Sequence, residues 1–367
     1  MRVLVVNAGS SSLKLRLLAP DDEVLEAADL GPAEPVEALA SVLRAWPPPD
    51  VTGHRVVHGG PASGPVLVDA AVRTRLADLT ALAPLHQPPA LAGLDAVTDL
   101  LPGTPAVACF DTAFHAELPA AASTYALPAQ WRERYGLRRY GFHGLSHAYC
   151  ATRTPELLGR SVPRLVSCHL GAGASLAAVL EGRSVDTTMG FTPLEGLVMA
   201  TRSGTVDPGL ILWLITHGGL SAADVSAGLE KQSGLLALAG HADLREVEAA
   251  ALVGEERARL AIEVYVHRLA AGIASQTAAL GGLDALAFTG GVGEGSERVR
   301  ALVCARLAYL GVQLDPDRNA DAQPDREIGA GRVGVVVLHA REDLQIAREV
   351  RRLLRPEEQP GAGRAAR

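Results

Sequence analysis

The chain has 367 residues, 48% of them hydrophobic, which is enough for two cores of ordinary domain size. Acidic side chains outnumber basic ones, 41 to 34, and no basic stripe interleaves with aromatics, so nucleic acid is not an expected partner. No run of about 18 apolar residues occurs, and the apolar run after Met1 is too short for a signal-peptide core; no membrane contact and a cytoplasmic location are expected.

Taken in chain order, "RVLVV" (2–6) reads as a buried strand that ends in the small-residue turn "NAGSSS" (7–12). "LKLRLL" (13–18) alternates and reads as the returning arm of a hairpin. Apolar spacing predicts helices over 34–45, 69–81 and 89–101, with strands at 53–57 and 105–109 between them. "RLVSCHL" (164–170), the turn "GAGA" and "SLAAVL" (175–180) repeat the strand–turn–strand design of the N-terminus. That weak internal repeat, half a chain apart, predicts a duplicated domain. Helices follow at 207–217, 243–252, 255–280, 295–310 and 342–354, with strands at 284–288 and 333–338. The alternation is that of an α/β protein. The tail 357–367, rich in Pro, Gly and Arg, reads as disordered. Four cysteines, 109, 150, 168 and 304, form no Cys-x-x-Cys pair and read as buried free thiols. Only Lys14 and Lys231 are lysines, so arginine must make most cationic contacts.

Three glycine-rich turns each follow an apolar strand: 7–12, 169–175 and 288–296. Small residues let backbone N–H groups converge on an anion. None matches a P-loop or a dinucleotide fingerprint. Arg55 and His58 end one strand, Asp111 follows another, His143 lies in a turn, and Glu342 opens the last helix. Taken singly, Asp111 and Glu342 could be helix caps, and His143 a hydrogen-bonded structural residue. The His54/His58 and His143/His147 spacings lack the glutamate of a zinc helix, and the neighbouring glycines argue against a helix across either pair. In "TMGFTPLEGLVMATRSGTVDPG" (188–209), Arg202 could solvate a turn or face a phosphoryl group. Arginines, a histidine, two acids and phosphate-cradling turns at element ends form the set that phosphoryl transfer needs. An acceptor that is already a carboxylate needs no general base.

"VLVVNAGSSSLK", "HRVVHGG", "FDTAFH", "RRYGFHGLSH", "DTTMGFTPLEGLVMATRSGTVDPG" and "FTGGVGEGS" occur in the order found in the acetate kinase family, which the chain resembles from residue 3 to about 350. The resemblance implies two ribonuclease-H-like domains of the actin type around a nucleotide cleft: 1–115 with 345–356, and 116–344. It implies reversible transfer between ATP and acetate giving acetyl phosphate and ADP, with Mg²⁺ (or Mn²⁺), in a homodimer. Propionate or butyrate kinase activity and a non-transferring actin- or Hsp70-like ATP switch are the alternatives. It further implies that His143, Arg202, Arg55 and Asp111 are catalytic, and that Arg55, Val57, Leu85, Phe142 and Pro193 hold the acyl substrate. Ser10, Lys14, His169, Gly171, Gly173, Asp243, Leu244, Arg245, Gly291 and Gly293 would bind nucleotide, and Asn7 and Glu342 the metal. Family asparagines are replaced here by Ala172, Gln87 and Gly295, and a serine by Ala174. Arg341 stands beside the retained Glu342.

Overall fold

A computed structural model describes residues 1–8, 13–31, 36–83, 86–321 and 323–355. Ser10, Leu85 and the tail 357–367 therefore lie outside the described residues. Two six-stranded mixed sheets organise the chain. The first has strands β1 (Val3–Ala8), β2 (Leu13–Leu18), β3 (Val24–Leu30), β4 (Val51–Val56), β5 (Val66–Leu67) and β6 (Ala106–Phe110), in the order β3-β2-β1-β4-β6-β5. The second has β7 (Arg164–Leu170), β8 (Ala174–Leu180), β9 (Arg183–Thr187), β10 (Ala285–Thr289), β11 (Arg326–Glu327) and β12 (Gly334–Val337), in the order β11-β12-β10-β7-β8-β9.

Read from opposite ends, the two orders are the same. Each sheet begins as an antiparallel three-strand meander, adds two parallel strands, and closes with a short antiparallel edge. This is the duplication that the repeat predicts, in the ribonuclease-H-like form that the family resemblance implies. Parallel central strands need both faces covered, which explains their apolar runs. β6, β10 and β12 are buried along their whole length.

Helices α1 (Val36–Ala45), α2 (Ala70–Asp78) and α3 (Gln87–Leu100) pack in the first half. The predicted 69–81 helix ends at Asp78 and tightens into a 3₁₀ turn. Short α4 (Ala120–Ser123) and α5 (Ala129–Tyr135) lead to α6 (Gly144–Leu158). Leu145 and Tyr149 of α6 join the core of the first sheet, while Cys150 joins that of the second. In the second half come α7 (Pro208–Thr216), α8 (Ala222–Lys231), α9 (Gly234–Ala239), α10 (Leu244–Leu252), α11 (Glu256–Leu280), α12 (Gly290–Gly295), α13 (Glu297–Arg306) and α14 (Pro316–Ala320). The predicted 295–310 helix is interrupted, because Ser296 leaves helical geometry to cap α13. Finally α15 (Glu342–Leu354) returns to the first sheet, where Leu344, Ile346, Ala347 and Val350 pack on Val3, Val5, Val51 and Val107. All four cysteines are buried and free.

Candidate active site

The parallel pairing of β1, β4 and β6 brings three strand ends side by side. Val6 lies opposite His54, and Arg55 lies opposite Cys109, so Asn7, Arg55 and Asp111 emerge together. Arg55 grips Asp111 through Nε at 3.1 Å and Nη2 at 2.7 Å, the fork-to-carboxylate geometry that arginine favours. Its Nη1 reaches Glu342 Oε2 at 3.1 Å and Asn7 Oδ1 at 3.3 Å. Asn7 Nδ2 in turn donates to Glu342 Oε2 at 2.9 Å. Glu342 arrives from the first turn of α15, where a carboxylate also suits the helix dipole.

Asp111 is 1% exposed, so burial pushes its carboxyl up against the opposing pull of Arg55. Glu342 is also resisted by burial, but Arg55, His169 and Asn7 outweigh it and hold its carboxyl below the usual range. Lys14, exposed on β2 opposite Asn7, adds a further pull on Glu342.

Across from this network, β6 fixes the start of α6. Gly144 N–H donates to the Asp111 carbonyl at 2.8 Å. A Cβ on Gly144 would collide with that carbonyl, so only glycine allows the approach. The preceding residue, His143, is left-handed at φ 56°, a conformation that costs a non-glycine residue on the order of 1 kcal/mol or more. The strained turn aims the imidazole. Its Nδ1 contacts Ser175 Oγ at 2.9 Å, that hydroxyl contacts His147 Nε2 at 2.8 Å, and His147 Nδ1 contacts Ser167 Oγ at 2.9 Å. The two histidines thus share a serine. Among the described residues, no group of three or more His, Cys, Asp or Glu side chains is placed to hold a metal ion. His143 also stacks on His169, ring centres 4.3 Å apart, and His169 Nδ1 contacts Ser146 Oγ at 2.8 Å. Burial chiefly, then His169, Arg55, His147 and Arg202, hold His143 well below the ordinary imidazole value, so it is neutral at pH 7.

Arg202 completes the group. A Cβ on Gly173 would lie 3.1 Å from Arg202 Nη2 and 3.4 Å from His143 Cε1 and Nε2, so both side chains meet at the tip of the β7–β8 turn. Arg202 Nη1 donates to the Pro193 carbonyl at 2.7 Å. Burial draws its guanidinium down from its ordinary value, opposed mainly by the charge of Glu230. Among the described residues, no carboxylate forms an ion pair with Arg202. A largely buried cation without an anion is an invitation to an anionic ligand.

Beside that tip opens a cavity of about 590 Å³, lined by Gly171, Ala172, Ala200, Leu235, Asp243, Leu244, Arg245, Glu248, Tyr265, Gly291 and Gly295, among others. It gathers four residues expected to bind nucleotide, Gly171, Asp243, Leu244 and Gly291, with a fifth, Arg245. Gly293 instead faces Phe288 and Leu170. Val57 and Phe142, expected at the acyl substrate, are buried in one apolar cluster with Ala83. Gln87 is buried too: its amide clasps the backbone of His58 and Leu76. Ala172 and Gly295 both fall on the cavity wall, Ala174 is buried, and Arg341 pairs with Asp343. Sequence reasoning missed Ser175, Ser146 and Glu294. Glu294 ties α12 to the approach of α15 by accepting from the Gly290 and Ala340 amides. Isolated serines and a glutamate in a glycine turn carry no distinguishing pattern.

Two like lobes, an anion-seeking arginine beside a neutral imidazole, and a glycine-walled cavity next to both define a two-lobed phosphotransferase. The Acetokinase family model matches residues 48–348. The acetate kinase of Cyanothece sp. is 49% identical over 315 residues, covering 84% of this chain and 77% of that protein. The acetate kinase of Carboxydothermus hydrogenoformans is 40% identical, covering 96% and 99%. Among solved structures, the acetate kinase of Porphyromonas gingivalis superposes with a TM-score of 0.88 at 36% identity, covering 96% of this chain and all of that one. A propionate kinase from Francisella tularensis gives 0.88 at 36%, covering 95% and 98%. The chain belongs to the Acetokinase family.

Proposed function

We propose that the chain catalyses reversible phosphoryl transfer between ATP and acetate, giving acetyl phosphate and ADP. The observation that carries this reading is Arg202: a part-buried guanidinium with no carboxylate paired to it among the described residues, meeting His143 at Gly173 beside the glycine-walled cavity. An acetate oxygen attacks the terminal phosphorus of ATP. The new O–P bond forms as the bridging O–P bond breaks, and the electron pair leaves with ADP. Arg202 and Arg55 face the charge on the transferring group and the carboxylate, and neutral His143 donates one hydrogen bond from Nε2. Gly171, Gly173 and Gly291 offer backbone to the phosphates, with Asp243, Leu244 and Arg245 at the adenosine. Ser10 and Lys14 are assigned to the same nucleotide side, and Val57, Leu85, Phe142 and Pro193 to the acyl side. His169 supports His143 by stacking.

The donor chemistry suits Mg²⁺. Asn7 Oδ1 and Glu342 Oε2 are hard oxygens that converge on Arg55 Nη1, and few protein ligands leave room for phosphate and water, as that ion prefers. When bound, the ion would neutralise phosphate charge; Mn²⁺ has the same preference for oxygen. Arg55 contacts both oxygens and balances the charge of Glu342.

The lobes 1–115 with 345–356 and 116–344 are proposed to close on the substrates and exclude water as a competing acceptor. Homodimerisation is supported by α7. Leu210, Leu212, Trp213 and Ile215 are all exposed, and no residue of that apolar helix is buried. No helix among the described residues is long and apolar enough to cross a membrane. A cytoplasmic location remains part of the proposal. A propionate-preferring enzyme is the second reading, because a propionate kinase superposes as well as an acetate kinase does, 0.88 in each case. Measuring kcat/KM for acetate, propionate and butyrate with Mg-ATP decides between them. Background rates on all three acids, with folded protein, would overturn the kinase reading.

A further inference from the structure

The segment 188–205 carries both Pro193 and Arg202, yet neither helix nor strand spans it. A cluster outside the assigned site holds it. Arg139 Nη1 donates to the carbonyls of Thr188 at 3.1 Å and Met189 at 3.0 Å, and its Nη2 pairs with Glu195 Oε1 at 2.6 Å. The other oxygen of Glu195 accepts from the Tyr125 hydroxyl at 2.6 Å, and that hydroxyl accepts from Phe191 N–H at 2.9 Å. Gly190 lies inside this knot, where a Cβ would overlap both Glu195 Oε2 and Tyr125 Oη. Burial and the Glu195 carboxylate push the Tyr125 phenol up, which keeps it a donor.

The far side of the segment is not packed solid. A cavity of about 570 Å³ runs from Glu195, Gly196 and Thr205 to Gly272 and Gln276 of α11. Met189, Leu197 and Met199 anchor the segment in the core, and between the first two the knot braces the backbone. Two residues before Glu195 stands Pro193, whose carbonyl takes Arg202 Nη1 at 2.7 Å.

We infer that Glu195, gripped by Arg139 and Tyr125, is a positioning residue for the transfer reaction: it fixes the Pro193 carbonyl and thereby aims the Arg202 guanidinium. The inference rests on the proposed function, in which Arg202 faces the transferring group. Misaiming such a group by about 1 Å is enough to slow the chemistry by as much as about a hundredfold while substrates still bind.

The test compares wild type, Glu195→Gln, Tyr125→Phe, Arg202→Lys and the double variant Glu195→Gln/Arg202→Lys, in acetate-dependent ATP turnover and thermal melting. Glu195→Gln is expected to lower kcat about tenfold or more, with the ATP KM within about twofold of wild type. Tyr125→Phe should lower kcat by a smaller factor. In the Arg202→Lys background, Glu195→Gln should add almost nothing, because a flexible ammonium no longer reads the Pro193 carbonyl. Unchanged kcat in Glu195→Gln overturns the inference. So does an equal loss in both backgrounds, which marks a merely structural residue. If Glu195→Gln fails to fold, Tyr125→Phe, which deletes a single hydroxyl, supplies the same comparison. Wild-type turnover is read first: an inactive wild type sinks the proposed function, whereas an active wild type with an Arg202-independent loss sinks only the role of Glu195.

Discussion

The two sheets share one topology but end in opposite chemistries. The first ends in charge: Asn7, Arg55 and Asp111 on adjacent strands, joined by Glu342 from α15. The second ends in glycine and imidazole: His169 in the last pair of β7 with β10, Gly171 and Gly173 after β7, and Gly290 to Gly295 after β10. Side-chain charge is specific but must be neutralised when the site is empty, and here the ion pairs do that internally. Backbone amides carry no net charge and need no partner of the kind. The duplicated scaffold therefore supplies one face of mutually paired side-chain charge and one of glycine backbone, where Arg202 stands without an ion pair among the described residues, and the substrates are proposed to react between them.

The comparison breaks most visibly at Arg55. Arg55→Ala leaves Asp111 and Glu342 buried without their shared cation, and removing one partner of a buried pair costs about 3–5 kcal/mol. Thermal and urea denaturation should show that loss, and acetate-dependent turnover should fall by about a thousandfold or more. Arg202→Ala should separate the two effects. With no carboxylate orphaned, its stability should stay within about 1 kcal/mol of wild type, while turnover falls about a hundredfold or more and nucleotide binding persists. A comparable loss of stability in both variants would erase the distinction.

On the glycine face the test is a methyl group. Gly173→Ala places a Cβ against Arg202 and His143 and should lower kcat about tenfold to a hundredfold. At Gly291 a Cβ meets nothing within 4 Å, so Gly291→Ala should alter only the nucleotide KM.

Acid should destabilise the molecule through its buried histidines. Burial holds His54, His58 and His115 down at about 4. The unfolded chain therefore binds protons below about pH 6.5 that the native state refuses until about pH 4. Stability is fully present above 6.5 and is lost as pH falls through that window, by on the order of 1–3 kcal/mol per histidine. Urea midpoints at pH 6.5, 5.5 and 4.5 should fall in that order; a flat series would contradict the burial argument.

The smallest expected effect sharpens the contrast from within the cavity. Ala172→Asn returns a side-chain donor to the wall, which at about 1 kcal/mol lowers the nucleotide KM about fivefold.

Much of this was legible in the residues alone, for particular reasons. The strand–turn–strand repeat was readable because a buried strand beside a small-residue turn is a local pattern. Arg55, Asp111 and Glu342 were readable because charge directly after an apolar run is conspicuous. α6 was not, because Gly144 opens it and Pro155 lies inside it, both of which argue against a helix until the packing between two sheets overrides them. β3, on the open edge of its sheet, alternates too weakly to stand out. The knot around Glu195 was invisible because Tyr125, Arg139 and Glu195 are far apart in sequence and individually ordinary. Of the proposed site residues, Ser10 and Leu85 lie outside the described residues, so their part in the site rests on the family resemblance.

The return of α15 to the first sheet bears on biosynthesis. Roughly 230 residues separate the end of β6 from that helix. At about 5–20 residues per second, a ribosome needs on the order of tens of seconds to bridge the gap. Throughout that interval the emerging amino-terminal half has Val3, Val51 and Val107 without the wall that later covers them, while the carboxy-terminal sheet can assemble as soon as it leaves the exit tunnel. Truncation before Leu344 should consequently yield a nascent protein that depends on chaperones for its first half, although all six strands of that half have already been made.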